Sequence, residues 1–373
     1  MRSHWETRLL RRGRVVIGGG IVGLSTALAL RRAAPHVPVL VLERGLLPTG
    51  ATTRSAGFAC LGGLGELAAD VDAHGLQATV DLVARRHAGL RRLRERLGDD
   101  ALGFEHTGGA ELLQAERAGL LDRLDALDAA LRPVVGGPMF RRDDRALPAL
   151  RFGHTAHLVR LPREGALDPG RLAEALLRAC RAADVEVWTG AAVTRLDPGE
   201  HGVDLALHDP AVGATRLHAA QVAVCTNALA RQLVPGLPVV PGRGQVLLTE
   251  PVPGLPWRGV FHRDAGDVYF REVEGRVLLG GARQRDVAGE TTDALALADG
   301  IQAHLDHLLA TVVLPGCPVR VARRWAGVMA FGPARAPLVQ RVHPRVAVGV
   351  RLGGMGIALG TGVGDEVAAL LEG

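Results

Sequence analysis

Residues 14 to 44 read RVVIGGGIVGLSTALALRRAAPHVPVLVLER, and no other stretch limits the possible folds as tightly. The run Arg14–Ile17 has the length and content of a buried strand. It enters Gly18, Gly20 and Gly23, spaced GxGxxG. Ile21 and Val22 open an apolar pattern of helical period that continues through Leu30. A second apolar run, Val39–Leu42, ends in Glu43, twenty residues after Gly23, with Arg44 behind it. Each part has a role in holding an adenine dinucleotide. Gly18 permits the tight turn, Gly20 lets the backbone approach a pyrophosphate, and Gly23 lets helix and strand pack closely. The helix N-terminus presents free N–H groups to the phosphates, and Glu43 accepts from ribose hydroxyls. A glycine-rich turn in an ordinary βαβ unit is the bland alternative.

At 373 residues the chain is long enough for two intimately joined domains. No apolar run reaches the roughly 18 residues needed to span a bilayer, so no membrane span is expected. The segment Met1–Arg14 is arginine-rich but has no apolar core of a secretory leader. Cys60, Cys180, Cys225 and Cys317 form no CxxC and no metal spacing, so no metal is expected. They fit a cytoplasmic chain, with Cys60 and Cys225 in packing roles. The chain contains no lysine, which excludes a Schiff base and any catalytic ammonium. The formal net charge of +5 is spread over dispersed arginines with few aromatics, which argues against a nucleic-acid partner.

Residues 76–97 have helical periodicity with arginines on what reads as a solvated face (Arg85, Arg86, Arg91, Arg92, Arg94, Arg96). Residues 115–131 read as another helix, and 133–165 as irregular. Asp168 and Pro169 form an N-cap and first-turn pair for a helix to Ala183. Short strands are expected at Val185–Trp188, Val203–Leu207 and Val222–Cys225. Strand-like runs separated by turns follow from Gly244 to Gly281. A helix near Asp293–Val312 and strands at Val319–Val328 and Val346–Val350 complete the pattern. The chain closes with a glycine-rich loop (Gly353, Gly354, Gly356) and a helix starting around Thr361.

Taken in order, these segments resemble the FAD-dependent oxidoreductases of the D-amino-acid oxidase type, which include glycine and sarcosine oxidases. The resemblance rests on GGGIVG with Glu43, TGATTRSAGFACLGG (Thr49 to Gly63) and GALDPGRLAEALLRAC. It continues through VAVCTNALARQL, PGRGQVLLTEP, DVYFREVEGRVLLGG, RRWAGVMAFGPARAPLV and LGGMGIALGTGVGDEVAALL. It implies an α/β fold, with a Rossmann-like FAD-binding domain interleaved with a mixed or antiparallel-sheet substrate domain. The FAD-binding domain would hold 1–75, 150–235 and 320–373, and the substrate domain 76–149 and 236–319. It further implies non-covalent FAD. Thr52, Thr53, Arg54, Ser55, Ala56 and Gly57 would run beneath the flavin ring. Val193, Thr226 and Asn227 would meet the nucleotide, and Gly353, Gly354, Met355, Gly356 and Ile357 would close over the ring. The positive end of the last helix would face negative charge developing on the reduced flavin.

The departures from that pattern matter too. Glycine oxidase relatives carry a carboxylate-binding arginine four residues after the tryptophan of WAG, where this chain has Met329. Arg335 stands ten residues after Trp325, as in amine-oxidising relatives resembling gamma-glutamylputrescine oxidoreductase. The lysine that activates oxygen in sarcosine oxidases corresponds to Leu278, and the usual histidine of the closing loop to Met355. Tyr269, the only tyrosine, and Arg271 share a strand face by the period of two. Arg54, Arg271, Arg335 and Tyr269 are the candidate catalytic and substrate-binding residues, and His262 a possible base or a solvated residue. The implied reaction is oxidation of a C–N bond in an amine or amino acid, with oxygen or a quinone or dye as electron acceptor. A 2-hydroxy-acid dehydrogenase and a non-catalytic flavin-binding subunit are the alternatives.

Overall fold

The computed structural model describes residues 3–209 and 213–373. Met1 and Arg2, at the start of the proposed non-leader segment, and residues 210–212 lie outside the described residues.

Two large sheets organise the chain. In the first, Leu338–His343, Val346–Val350, Gly213–Val224, Arg11–Ile17, Val39–Leu42 and Glu186–Trp188 lie side by side in that order. The four pairings from Val346–Val350 across to Glu186–Trp188 are parallel. The central strands are apolar on both faces because both faces are covered. Val16 packs beneath the helices Ile21–Ala33 and Gly356–Glu372. Val15 and Ile17 face a second cluster with Val203, Leu205 and Leu217 of an antiparallel meander, Val193–Gly199, Gly202–Asp209 and Gly213–Val224.

The second sheet runs Val321–Phe331, Val240–Thr249, Arg276–Gly281, Val268–Val273, Val260–Arg263, Gly109–Leu113, His157–Leu161 and Arg141–Arg142. Only the contact of Val260–Arg263 with Gly109–Leu113 is parallel. The alternation of side chains gives this sheet two unlike faces. One carries Leu247, Phe261, Phe270 and Leu279 and is sealed by Ile301, Leu305 and Leu308 of a helix, with Phe261 and Phe270 stacked at 5.0 Å. The other carries Glu111, His262, Tyr269, Gly280, Val246 and Trp325, which are paired neighbour to neighbour in one row across the strands. That row faces the segment after the first dinucleotide turn, through Ala56 and Phe58.

The α/β class and the two-sheet plan follow the sequence reading. The helix Pro169–Ala182 opens as expected: Asp168 accepts from the N–H groups of Gly170 (2.7 Å) and Arg171 (3.1 Å), a cap worth about 1 kcal/mol. Several local expectations need correction. The closing helix starts at Gly356, with Met355 at the cap, and not at Thr361, so the glycine loop feeds it directly. The span 133–165 is not irregular throughout, since it supplies two strands of the second sheet and the short helix Leu147–Leu150. Residues 115–131 start as a 3₁₀ turn, Ala115–Arg123, before the α-helix Leu124–Val135. The arginines of Leu76–Leu97 are not all solvated, because Arg86 is buried.

Candidate active site

The nucleotide end is built mainly from backbone. Gly18 sits at φ +111°, and a Cβ there would stand 2.8 Å from the carbonyl oxygen of Cys225 on the neighbouring strand. A side chain at Gly23 would be driven into the carbonyl oxygen of Gly18. At Gly20 the nearest obstacle is only the Thr52 hydroxyl, 3.1 Å away. The first N–H groups of Ile21–Ala33 have no intrahelical acceptor, and Ile21 donates to Thr52 Oγ1 at 3.0 Å. Glu43 is buried, accepting from Gly19 N (2.8 Å, Oε2) and Gly45 N (2.9 Å, Oε1). Arg44 points to solvent. Thr226 and Asn227 follow the adjacent parallel strand. Asn227 Oδ1 accepts from Arg351 N, and Thr226 Oγ1 is buried with no partner. Val193 opens its strand at the edge of the same sheet.

The chain then crosses to the second sheet. Thr52, Thr53 and Arg54 lie in the turn Ala51–Arg54, and Ser55 closes it, its hydroxyl donating to Thr52 O. Thr53 Oγ1 donates to Pro48 O at 2.6 Å. Arg54 donates to Thr49 O and Ala326 O, both at 2.9 Å, while its own carbonyl accepts from Trp325 Nε1 at 3.0 Å. Ala56 packs on Val246 and Leu278. Arg271 is buried and donates to Gly57 O (3.1 Å) and Leu167 O (2.9 Å). Arg54 and Arg271 thus bracket 54–57, and both are bound to carbonyl oxygens.

Tyr269 stands beside this segment, its ring edge-on to Phe58 at 5.5 Å. Gly280 makes room for it, since a Cβ there would be 2.7 Å from the ring. Burial, and then the charge of Asp267, pushes the phenol up to about 12, so its hydroxyl is a neutral donor at physiological pH. Gly244 and Gly327 face each other on adjacent strands, with Arg54 Cβ 3.0 Å from a Cβ position at Gly327, and form a floor to which they add no side chain of their own. Around it stand Tyr269, with its hydroxyl 4.0 Å from a Cβ built on Gly244, and the Met329 methyl, at 2.9 Å from the same point. Met329 Sδ lies 3.4 Å from a Cβ position at Gly354, so the closing loop meets the floor. Gly353 and Gly354 adopt positive φ, Met355 Sδ is 3.8 Å from Cys60 Sγ, and Gly356 and Ile357 open the last helix. The loop Gly353–Ile357 therefore joins Arg54–Gly57, Tyr269 and Met329 around one floor.

Arg335 meets the closing loop by its backbone, its carbonyl oxygen 4.0 Å from a Cβ position at Gly353, and its side chain is held by carboxylates. Its Nε is 2.8 Å from Asp70 Oδ1 and its Nη1 is 3.2 Å from Glu66 Oε1. Glu66 also receives Arg86 Nη2 at 2.8 Å. Two guanidinium groups thus meet two carboxylates at this corner.

The largest correction concerns His262. It lies inside the strand Val260–Arg263 and is buried, not solvated. Its Nε2 donates to Glu164 Oε2 at 2.7 Å, and Glu164 is fully buried. Glu164 Oε1 accepts from Leu61 N (3.1 Å) and Gly62 N (3.3 Å). Glu111 accepts from Gly65 N with both oxygens, at 3.0 and 3.2 Å. Burial pulls the His262 pKa down, but Glu164, together with Glu111 and Glu66, more than offsets this, and the net direction is upward. Burial raises the Glu111 carboxyl and raises the Cys60 thiol well above its ordinary value, which keeps that thiol protonated and inert. Cys225 is likewise pushed up to about 12 by burial. The sequence signal for Glu164 was available, just before the Leu167–Asp168–Pro169 motif, but its partner is 98 residues away.

The residues present fit an FAD. Gly18, Gly20 and Gly23 give the close backbone approach, and nothing would crowd a Cβ at Gly50 or Gly356. The unpartnered Thr226 hydroxyl sits beside the turn. Among the described residues no cluster of His, Cys, Asp or Glu could hold a metal, and no helix is long and apolar enough to cross a membrane.

Comparison with known proteins agrees with this geometry. The chain is 31% identical over 240 residues to the tRNA 5-methylaminomethyl-2-thiouridine biosynthesis bifunctional protein MnmC of Nitrosospira multiformis, covering 63% of this chain and 36% of that protein. The chain thus spans little more than a third of that relative. Two solved structures share its fold. Glycine oxidase from Geobacillus kaustophilus has TM-score 0.76 and 22% identity, with 97% of this chain and 95% of that one covered. L-proline dehydrogenase from P. horikoshii has TM-score 0.76 and 17% identity, with 97% and 93% covered. The profile described as DAO, FAD dependent oxidoreductase, matches residues 15–370. The chain belongs to this DAO family of FAD-dependent oxidoreductases.

Proposed function

We propose that the chain oxidises the C–N bond of an amine or amino acid to an imine, which water then hydrolyses. The observation that carries this reading is the glycine floor Gly244–Gly327, ringed by Tyr269, Met329 and the closing loop. When bound, FAD supplies the hydride acceptor, and the protein supplies position and electrostatics. Residues Gly18–Gly23, Glu43, Val193, Thr226 and Asn227 would hold the nucleotide, non-covalently. Residues Thr52–Gly57 and Gly353–Ile357 would hold the ring. Arg54 and Arg271 donate to backbone carbonyl oxygens, which fixes both guanidinium groups beside 54–57. Tyr269 would offer its hydroxyl proton to the substrate. On this reading the two sheets mark an FAD-binding part and a substrate part, interleaved along the chain.

Charge also sorts the substrates. A carboxylate at the floor would find Met329 in place of a guanidinium. Arg54 and Arg271 are engaged, and Arg335 is already shared by Glu66 and Asp70. This favours an amine over a substrate anchored by an α-carboxylate. The aminomethyl group in the name of the MnmC relative is consistent with an amine. Leu278, buried against Ala56 and Val246, puts no cation where oxygen would react, so a quinone or dye acceptor suits the chain better than oxygen.

The test is anaerobic bleaching of the holoenzyme spectrum by a panel of amines, amino acids and 2-hydroxy acids. Amines should bleach fastest. Bleaching by 2-hydroxy acids alone would replace the reading with alcohol oxidation, and no bleaching would leave a flavin-binding subunit. Reoxidation by oxygen at the rate of an efficient oxidase would remove the acceptor assignment.

A further inference from the structure

We infer that Glu164 and His262 form a positioning pair for the oxidation, setting the segment Phe58–Gly62 against Tyr269. The inference rests on the proposed placement of the flavin ring near residues 54–60.

The pair connects three pieces of chain that are distant in sequence. His262 comes from the second sheet, where its register neighbours are Glu111 on one side and Tyr269 on the other. Glu164 comes from the turn just before Gly165 and Ala166, which pair antiparallel with Ala59 and Phe58. The third piece is the segment itself, which gives Glu164 the N–H groups of Leu61 and Gly62. One carboxylate therefore fixes both the sheet and the segment, with one oxygen on each.

Phe58 links this anchor to the floor. Its ring is edge-on to His262 at 5.3 Å and to Tyr269 at 5.5 Å. A shift of the segment would move Phe58, and with it the only tyrosine of the chain. Neighbouring bonds fix the same segment from other sides. Arg86 Nη1 donates to Leu61 O at 2.8 Å, and Glu111 holds Gly65. A Cβ at Gly62 would stand 2.8 Å from Arg86 Nη1, which leaves little slack.

Stability alone does not explain the choice of residues. A buried ion pair is no more stabilising than well-packed apolar side chains of the same volume. The pair supplies direction: a carboxylate that holds two N–H groups and an imidazole at once fixes the segment's height in a way that apolar packing does not. Reaction rates respond to such placement, and a misplacement of about 1 Å can cost about 100-fold.

The experiment uses FAD holoenzyme of Glu164→Gln, His262→Gln and Phe58→Leu. The visible absorption and circular dichroism of bound FAD and its midpoint potential are read first, since none of these needs an amine. Anaerobic reduction by the best amine of the panel follows. All three variants should bind FAD within about 3-fold of wild type but show altered flavin circular dichroism. The limiting reduction rate should fall about 10- to 100-fold, with amine binding changed less than about 3-fold. Phe58→Leu keeps the ion pair and should reproduce the rate loss without loss of thermal stability. The inference is overturned if Phe58→Leu has the wild-type flavin spectrum and rate, even when the other two variants unfold. It is also overturned if all three variants change only amine binding. If no amine reduces the wild type, the functional reading fails, and the spectra and potentials still decide the positioning role.

Discussion

Glu43 and Glu164 are both buried carboxylates that hold two backbone N–H groups, yet they belong to regions of different construction. Glu43 closes a local unit: it ends a strand, and its partners Gly19 and Gly45 lie 24 and 2 residues away. Glu164 closes a global one, in which Leu61, Gly62 and His262 lie 103, 102 and 98 residues away. At the first site a cofactor would meet mostly backbone, so glycine spacing carries the design. At the second, side chains from separate strands converge, and no spacing records it. The difference also separates their energetics. In the proposed role the carboxylate at 43 would use its remaining lone pairs for ribose hydroxyls, whereas Glu164 is committed to its imidazole and two amides.

The largest expected effect tests the committed carboxylate. Glu164→Ala leaves His262 buried without its partner and should destabilise the fold by about 3–5 kcal/mol. The loss should depend on pH. The His262 pKa is raised in the folded state above its ordinary 6.5, so its contribution is fully present below about 6.5. It fades as pH rises through the folded value. Glu111, Glu66 and Tyr269 face the same imidazole, so the profile belongs to the cluster. Urea melts of wild type and His262→Asn between pH 5.5 and 9 should converge at high pH. A constant difference would mean that the imidazole acts by packing alone.

The next effect tests the backbone cradle. Gly23→Ala forces a methyl into the Gly18 carbonyl and should cost about 1–3 kcal/mol or more, with FAD content falling alongside. Gly20→Ala meets only a hydroxyl and should keep the melting temperature while weakening FAD binding. Equal behaviour of the two variants would break the division of roles between close packing and ligand approach.

This division explains what was legible. Gly18, Gly20, Gly23 and Glu43 could be read because a strand, a turn and a helix in one stretch have only one good arrangement. Asp168–Pro169 was legible for the same local reason. The closing helix starts five residues before the position the sequence suggests, since Gly356 and Gly360 read as loop until packing of Gly360 against Ile21 makes a small residue an advantage. His262 reads as a base or a solvated residue because nothing nearby in sequence reveals Glu164. Arg86 was read with its helix's other arginines, although Glu66 and Leu61 O bury it.

A smaller effect falls on affinity and not on folding. Glu43→Ala should weaken FAD binding by roughly 1.5–3 kcal/mol, the value of a hydrogen bond to a charged acceptor, or about 10- to 150-fold. Some of that loss comes from Gly19 N–H, which would lose its acceptor. Titration of apoprotein with FAD, followed by flavin fluorescence, measures it. Unchanged affinity would remove Glu43 from the ribose site and make the two carboxylates alike, both holding loops only.

The smallest effect is expected at Arg335, and it bears on the substrate. The side chain is 47% exposed and its partners are Glu66 and Asp70. A half-exposed guanidinium contributes about 0–1 kcal/mol to an ion pair, and the buried Asp70, whose pKa burial already raises, can take up a proton when it loses this partner, so Arg335→Ala should melt within a few degrees of wild type. Its kinetic effect depends on what the substrate carries. With Arg335 and Arg86 already paired to Glu66 and Asp70, an acidic group arriving there would find no guanidinium without a carboxylate partner. Arg335→Ala should therefore keep KM and kcat within about 3-fold on the best amine. A bidentate clamp behaves otherwise: its loss would raise KM at least tenfold for acidic substrates, and lysine would not restore the planar fork. Steady-state kinetics of Arg335→Ala and Arg335→Lys on matched pairs, an amine and its carboxylated analogue, separate the cases. A rise in KM confined to the carboxylated member would place the anion at Arg335 and turn the substrate reading from amine to amino acid.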